Sequence, residues 1–144
     1  VDLRRAVSAA YYAVFHTVLR AVADWVVPAS RRATTEYARV YRSIDHTELN
    51  ELCKVITTGI GPKNKYAPHV PSKGFSRNIL DFATAVIELQ EKRHLADYDP
   101  EFGITRSDTL VTINTARTAL TRFQSAPDEE RAVFISLLIF PPRR

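Results

Sequence analysis

The sequence predicts an all-α fold, a bundle of about five to six helices, and the spacing of its apolar residues carries that expectation. At about 100° per residue, Leu3, Val7, Tyr11, Val14, Val18, Val22 and Trp25 fall on one face of a helix spanning residues 3–27. The same three- and four-residue spacing returns after each cluster of proline and glycine, and no stretch alternates as a half-buried strand would. With 144 residues, no internal repeat and no low-complexity region, the whole chain, 1–144, reads as a single domain with its own core.

Composition narrows the function classes. The net charge of +4 is compatible with an anionic partner such as RNA without requiring one. A lone cysteine, Cys53, excludes an internal disulfide framework, fits a reducing compartment and reads as a small core residue. No stretch approaches the ~20 apolar residues of a membrane span. A soluble, cytoplasmic protein is therefore expected. The opening Val1-Asp2-Leu3 already lies in a helical pattern, without a charged-then-apolar signal region, which points to a start upstream of Val1.

Beside the core stripe of the first helix runs a polar line, Arg5, Tyr12 and His16, flanked by the small residues Ala9 and Ala13. It reads either as a cleft or partner surface, or simply as the boundary of the core. Pro28 ends the helix. Residues 30–44 fit a second helix through Tyr37, Val40, Tyr41 and Ile44, and Arg31, Arg32, Arg39 and Arg42 make it the most basic local segment. These arginines are either a solvated face or a phosphate-contacting patch with Tyr37 and Tyr41 interleaved. Asp45 or Thr47 is a candidate cap for a third helix, whose buried face is Leu49, Leu52, Cys53 and Ile56.

From residue 57 to residue 76 the helical pattern fails amid Gly59, Gly61, Pro62, Pro68, Pro71 and Gly74. With Lys63, Lys65 and Lys73 in it, this stretch reads as a basic, flexible flap. Ser76 then caps a helix expected to run to about Leu95, with Ile79, Phe82, Ala83, Val86 and Ile87 inward. Continuing that face brings Gln90, Arg93 and His94, then Asp97 and Tyr98. An apolar stripe that turns ionisable implies a partly buried polar site, since buried charge needs a partner and Asp97 stands four residues from Arg93. The helix dipole offers a purely structural account of Lys92, Arg93 and His94.

Asp99-Pro100 and Gly103 end that element. Asp108 or Thr105 starts the next helix, with Leu110, Ile113, Ala116, Leu120 and Phe123 inward and Thr112, Thr115, Thr118 and Arg122 outward. The run from Ser125 to Glu130 is a helix-start signal, with acids near the positive dipole end. Residues 132–140 are too continuously apolar for periodicity to decide, and the start signal makes them helix, in contact on more than one side. Pro141 to Arg144 is a tail.

The motifs exclude several chemistries. The four histidines are scattered, and neither a His-Glu-x-x-His pair nor a Gly-x-Ser-x-Gly elbow occurs, so no metal or cofactor is expected. What remains is Arg, His, Tyr and Asp on a helical scaffold. Those types could serve metal-free RNA cleavage, in which arginine stabilises phosphate charge and histidine or tyrosine moves protons.

The run Arg5-Ala6-Val7-Ser8-Ala9-Ala10-Tyr11-Tyr12-Ala13-Val14-Phe15-His16, together with Arg93-His94-Leu95-Ala96-Asp97-Tyr98-Asp99-Pro100, resembles the HEPN superfamily. It is most similar to the bacterial and archaeal branch with a Tyr-Tyr-Ala-x-Phe-His first helix and an Arg-x-x-Ala-Asp-Tyr ending on a later one. The resemblance implies an up-and-down helical bundle, usually a homodimer. Many members are ribonuclease toxins paired with a nucleotidyltransferase antitoxin, and others are non-catalytic RNA- or nucleotide-binding modules. Catalytic members place a histidine a turn or more after the arginine. Arg93 matches the arginine, but the histidine positions hold Tyr98, Asp99 and Pro100. Arg39 and His46 have a suitable spacing on the wrong helix and read as coincidence.

The sequence therefore points to a HEPN-like module of toxin–antitoxin or defence type with a degenerate nuclease site. Arg93, His16 and Tyr98 are its candidate catalytic groups, with His94 as a second proton carrier beside His16. Arg5, Tyr12, His94 and Asp97 are the candidate cleft. The expected partners are a second copy, RNA or a nucleotide, and a nucleotidyltransferase-type antitoxin. The alternative is a non-enzymatic dimeric scaffold in which the same residues form a structural polar network.

Overall fold

The computed structural model describes residues 2–143; Val1 and Arg144, the outermost residues of the expected opening and tail, lie outside the described residues. Among the described residues the chain forms six α-helices, two single turns of 3₁₀-helix and no strand. α1 spans Leu3–Val26, α2 Thr35–Tyr41, α3 His46–Thr58, α4 Arg77–Tyr98, α5 Arg106–Ser125 and α6 Asp128–Ile139. This is the all-α bundle that the apolar spacing predicts.

α1, α4 and α5 pack against one another at the centre; α3 covers α4, α2 lies on α1, and α6 meets α3 and α1. α1 and α4 run antiparallel. Arg4, at the start of α1, donates from Nη1 to the carbonyls of Ala96 (3.0 Å) and Asp99 (2.7 Å), and from Nη2 to those of Pro100 (3.1 Å) and Phe102 (2.6 Å). These contacts tie the start of α1 to the last turn of α4, whose Ala96 carbonyl lacks a helical partner, and to the connection that follows it. α4 and α5 are also antiparallel, with Asn78 Nδ2 donating to the Ser125 carbonyl at 3.3 Å.

Asp2 caps α1, accepting the Arg5 N–H at 3.2 Å. α1 buries Val7, Tyr11, Val14, Phe15, Val18, Leu19, Val22 and Ala23. Trp25, expected on this stripe, is 59% exposed. It sits at the rim of the α5–α6 turn, beside Asp128 and Arg131, while the buried line at the end of α1 runs through Ala23 to Val27. By length and composition α1 could cross a membrane, an exception to the expectation drawn from the sequence, but half of the relevant window is buried in the bundle. That burial is the pattern of a core helix.

The second helix is shorter than residues 30–44. Ala29–Arg31 form a 3₁₀ turn, Thr34 is extended at the N-cap, and only Thr35–Tyr41 are α-helical. The Thr34 hydroxyl donates to the Arg31 carbonyl at 2.5 Å, a local bond that competes with helix continuation. α3 is capped by Asp45, which accepts the Glu48 N–H at 2.8 Å, and ends at Gly59 with φ +91°, a conformation that favours glycine.

The stretch from 57 to 76 is not a loose flap. Tyr66 is buried, Lys65 pairs with Glu51 at 3.2 Å, and Ala67–His69 make a 3₁₀ turn. Ser76 occupies the N-cap position of α4, but its hydroxyl makes no capping bond; its N–H instead donates to Glu130 of α6 at 2.5 Å.

α5 begins at a reciprocal capping box between Thr105 and Asp108. Its buried face is Thr109, Thr112, Ala116, Ala119 and Phe123, rotated from the expected one: Leu110 is exposed, and Thr112, expected outward, is 1% exposed. The Thr109 and Thr112 hydroxyls each donate to the carbonyl four residues back, at 2.9 Å. With their polar atoms satisfied within the helix, threonine and alanine let α5 approach α1 and α4 more closely than leucine would. α6 is a helix and buries Phe134, Ile135, Leu137 and Leu138.

Candidate functional site

The two segments that carry the resemblance meet where α1 crosses the C-terminal half of α4. Arg93 is buried, with 9% of its surface exposed. Its guanidinium carbon lies 5.3 Å from the Tyr11 ring centre and 5.8 Å from that of Tyr12, within cation–π range. Nη1 is 3.7 Å from Asp97 Oδ2, which also accepts from the Ser8 hydroxyl at 3.4 Å. Among the described residues Arg93 Nε has no hydrogen-bond partner, and neither has the buried Gln90 Oε1 one turn before it. A groove of about 370 Å³ between α3 and α4 opens beside them, lined in part by Asn50, Lys54, Ile87 and His94.

From Arg93 the polar contacts continue into α3. The Tyr11 hydroxyl lies 2.7 Å from His46 Nδ1. The His46 ring stacks on Phe15 at 4.0 Å and meets Tyr12 edge-on at 5.7 Å. Burial pushes the Tyr11 phenol well above its usual range, the nearby Arg93 only partly opposing this, so Tyr11 keeps its proton. Burial first, then the Arg93 charge, lowers the His46 pKa. A neutral His46 accepting from Tyr11 through Nδ1 satisfies both conditions and leaves the ring proton on Nε2.

This arrangement sets the sign of a pH effect. His46 has a folded pKa below its ordinary value of 6.5, so the unfolded chain binds the proton more readily. The contribution of neutral His46 is present above 6.5 and is lost as pH falls through the folded value. Asp45 opposes the downward shift, and His16 adds to it. Urea unfolding should show the stability falling between about pH 7.5 and about pH 5, with a smaller fall in His46→Gln. An equal fall in both proteins would remove His46 as the cause.

The sequence-predicted residues separate into two sets. Arg93, Asp97 and Tyr12 come together. Arg5 does not: it is exposed, its side chain near Asp2 at 3.9 Å, and the arginine that ties α1 to the end of α4 is its neighbour Arg4. Tyr98 is 66% exposed and lies over His94, ring centres 5.0 Å apart, with no contact to Arg93. His94 lines the groove from its outer side. His16 is exposed and bonds through Nδ1 to the Tyr41 hydroxyl at 2.7 Å, not to Arg93. Ala9 and Ala13 face outward.

Two groups escaped the sequence reading, Tyr11 as more than a core residue and His46. The signal for His46 was present: with Leu49, Cys53 and Ile56 it continues the buried stripe of α3 by one turn. Among the described residues no cluster of His, Cys, Asp and Glu is suited to a metal ion.

The fold and site together define an all-helical bundle with a buried arginine held between two tyrosines and a carboxylate. No protein-family model, curated protein or solved structure matches the chain.

Proposed function

We propose that this chain is a HEPN-like, RNA- or nucleotide-associated module of toxin–antitoxin or defence type, cytoplasmic and homodimeric, with a degenerate nuclease site. A nucleotidyltransferase-type antitoxin is the matching partner. One observation supports this above all: Arg93 of the Arg-x-x-Ala-Asp-Tyr segment lies against Tyr11 and Tyr12 of the Tyr-Tyr-Ala-x-Phe-His segment. Residues of the resemblance that are far apart in the chain thus meet at one point. Exposed Tyr98, Leu110 and Val111, flanking the α4–α5 connection, offer apolar surface that a second copy would cover.

Degeneracy follows from what stands around Arg93. Tyr98, in the slot of the usual histidine, faces solvent, and His16 is engaged by Tyr41. His94 lines the groove beside Arg93 but packs on Tyr98, and among the described residues no histidine is hydrogen-bonded to the guanidinium. Loss of general acid–base assistance lowers rates by ~10²–10⁴, so RNA turnover in EDTA should be weak or absent in the wild type, Arg93→Ala and His16→Ala alike. Robust wild-type cleavage abolished by Arg93→Ala would overturn the degenerate site. A gain of cleavage in Tyr98→His would mean that only the proton carrier is missing.

The burial of Arg93 favours a second reading, a non-enzymatic scaffold in which the cluster joins α1 to α4. Absence of both cleavage and RNA binding would select it.

A further inference from the structure

Away from Arg93, His16 and Tyr41 build a flat surface. Their ring planes differ by 15° and their centres are 5.9 Å apart. The Tyr41 hydroxyl is 2.7 Å from His16 Nδ1, closer than the roughly 3.5 Å that separates the planes of stacked rings. Near-parallel rings with atoms this close cannot lie one above the other. They sit side by side, joined at their edges by the hydrogen bond. Tyr12 neighbours His16 (6.1 Å) and Tyr37 neighbours Tyr41 (6.4 Å), but each is tilted by 32° and half-buried, so the flat surface is the His16–Tyr41 pair.

The segments that carry the plate are rich in arginine. Arg31 and Arg32 are neutralised by Glu36 and Asp24. Arg20, one turn beyond His16, and Arg39 and Arg42, on either side of Tyr41 in the chain, are exposed, and among the described residues none of the three pairs with a carboxylate. Arg20 lies near the Tyr37 end, where with Arg32 it opposes the upward push of burial and Asp24 on that phenol. The Tyr41–His16 bond also docks α2 on α1. A single hydrogen bond at an exposed site adds little to stability, however, and docking does not call for unneutralised arginines around it.

We propose that the His16–Tyr41 plate, with exposed Arg20 one turn further along α1 and exposed Arg39 and Arg42 in the segment that carries Tyr41, is a stacking platform for an unpaired base of single-stranded RNA. A flat π surface reads the face of a base, which a duplex hides within its stack and a single strand exposes. The arginines meet the flanking phosphates. This assignment rests on the RNA-associated reading above and specifies the strand class and the place of contact.

The test is fluorescence anisotropy with a short labelled oligoadenylate, alone and annealed to its complement. The single strand should bind and the duplex much less. His16→Ala and Tyr41→Ala should each weaken binding about tenfold or more. His16→Phe and Tyr41→Phe, which keep a ring but lose the edge bond, should retain most of it. Arg20→Ala and Arg42→Ala should flatten the salt dependence. Circular dichroism checks that each variant is folded. If the wild type binds RNA but loss of either ring changes nothing, or if duplex binds equally well, the platform is wrong while the RNA-associated reading stands. If the wild type binds no RNA, that reading fails and the platform with it.

Discussion

Phe134→Ala should remove about 3–5 kcal/mol of folding stability and should detach α6 from the bundle. Phe134 is fully buried, its ring edge-on to Phe82 of α4 at 5.7 Å and to Phe123 of α5 at 5.9 Å. Phe82 and Phe123 are themselves 4.8 Å apart. Three helices therefore converge on three rings. Truncating one removes its transfer free energy and leaves a cavity that backbones on three sides are not free to close. A domain of this size is typically stable by about 5–15 kcal/mol, so the variant should approach the unfolding threshold. Chemical denaturation should show a large fall in midpoint, and Phe134→Leu a much smaller one. A loss below about 1 kcal/mol would mean that α6 is an appendage, not part of the core.

That α6 is a helix was readable only from its surroundings. Residues 132–140 are apolar without a period, and the proline and acids before them carried the assignment. Where apolar spacing was regular, in α1, α3 and α4, the buried faces follow it except at Trp25, which is exposed, and at Ile87, which is half-buried while Leu89 is buried. The errors arose where burial departs from hydrophobicity. Thr109 and Thr112 tolerate burial because their hydroxyls bond back along the helix, a property of conformation that no hydropathy pattern displays; Thr115 and Thr121 make the same bond on the exposed side. Trp25 is exposed because the buried line at the end of α1 runs through Ala23 to Val27 and leaves Trp25 off it.

The site was legible by half. Arg93 and Asp97 stood out because they interrupt an apolar stripe, and Tyr12 because it borders one. His46 lies far from both in the chain, and only the packing of α3 beside α1 brings it to Tyr11. Arg4 and Arg5 illustrate the limit of face arithmetic. They are neighbours on one helix, yet Arg4 reaches four carbonyls in the last turn of α4 and the connection after it while Arg5 stays in solvent.

Arg93→Ala should lower stability by about 2–4 kcal/mol, near or below the range seen when one partner of a buried ion pair is removed. Several effects combine. The Asp97 carboxylate loses its cation, which lies 3.7 Å away, and the Tyr11 and Tyr12 rings lose the charge beside them. The aliphatic stem also leaves a void between α1 and α4. Asp97 is less deeply buried than Arg93 and can recover water, which keeps the loss below that of a sealed pair. Arg93→Met separates the contributions, because it fills the void and discards a desolvated guanidinium whose Nε is unsatisfied. It should lie within about 1.5 kcal/mol of the wild type. Urea unfolding of both variants at one pH and salt concentration makes the comparison. If Met is as damaging as Ala, the charge itself holds α1 to α4; if Ala is as stable as the wild type, the cluster does not join the helices, and the scaffold reading loses its support.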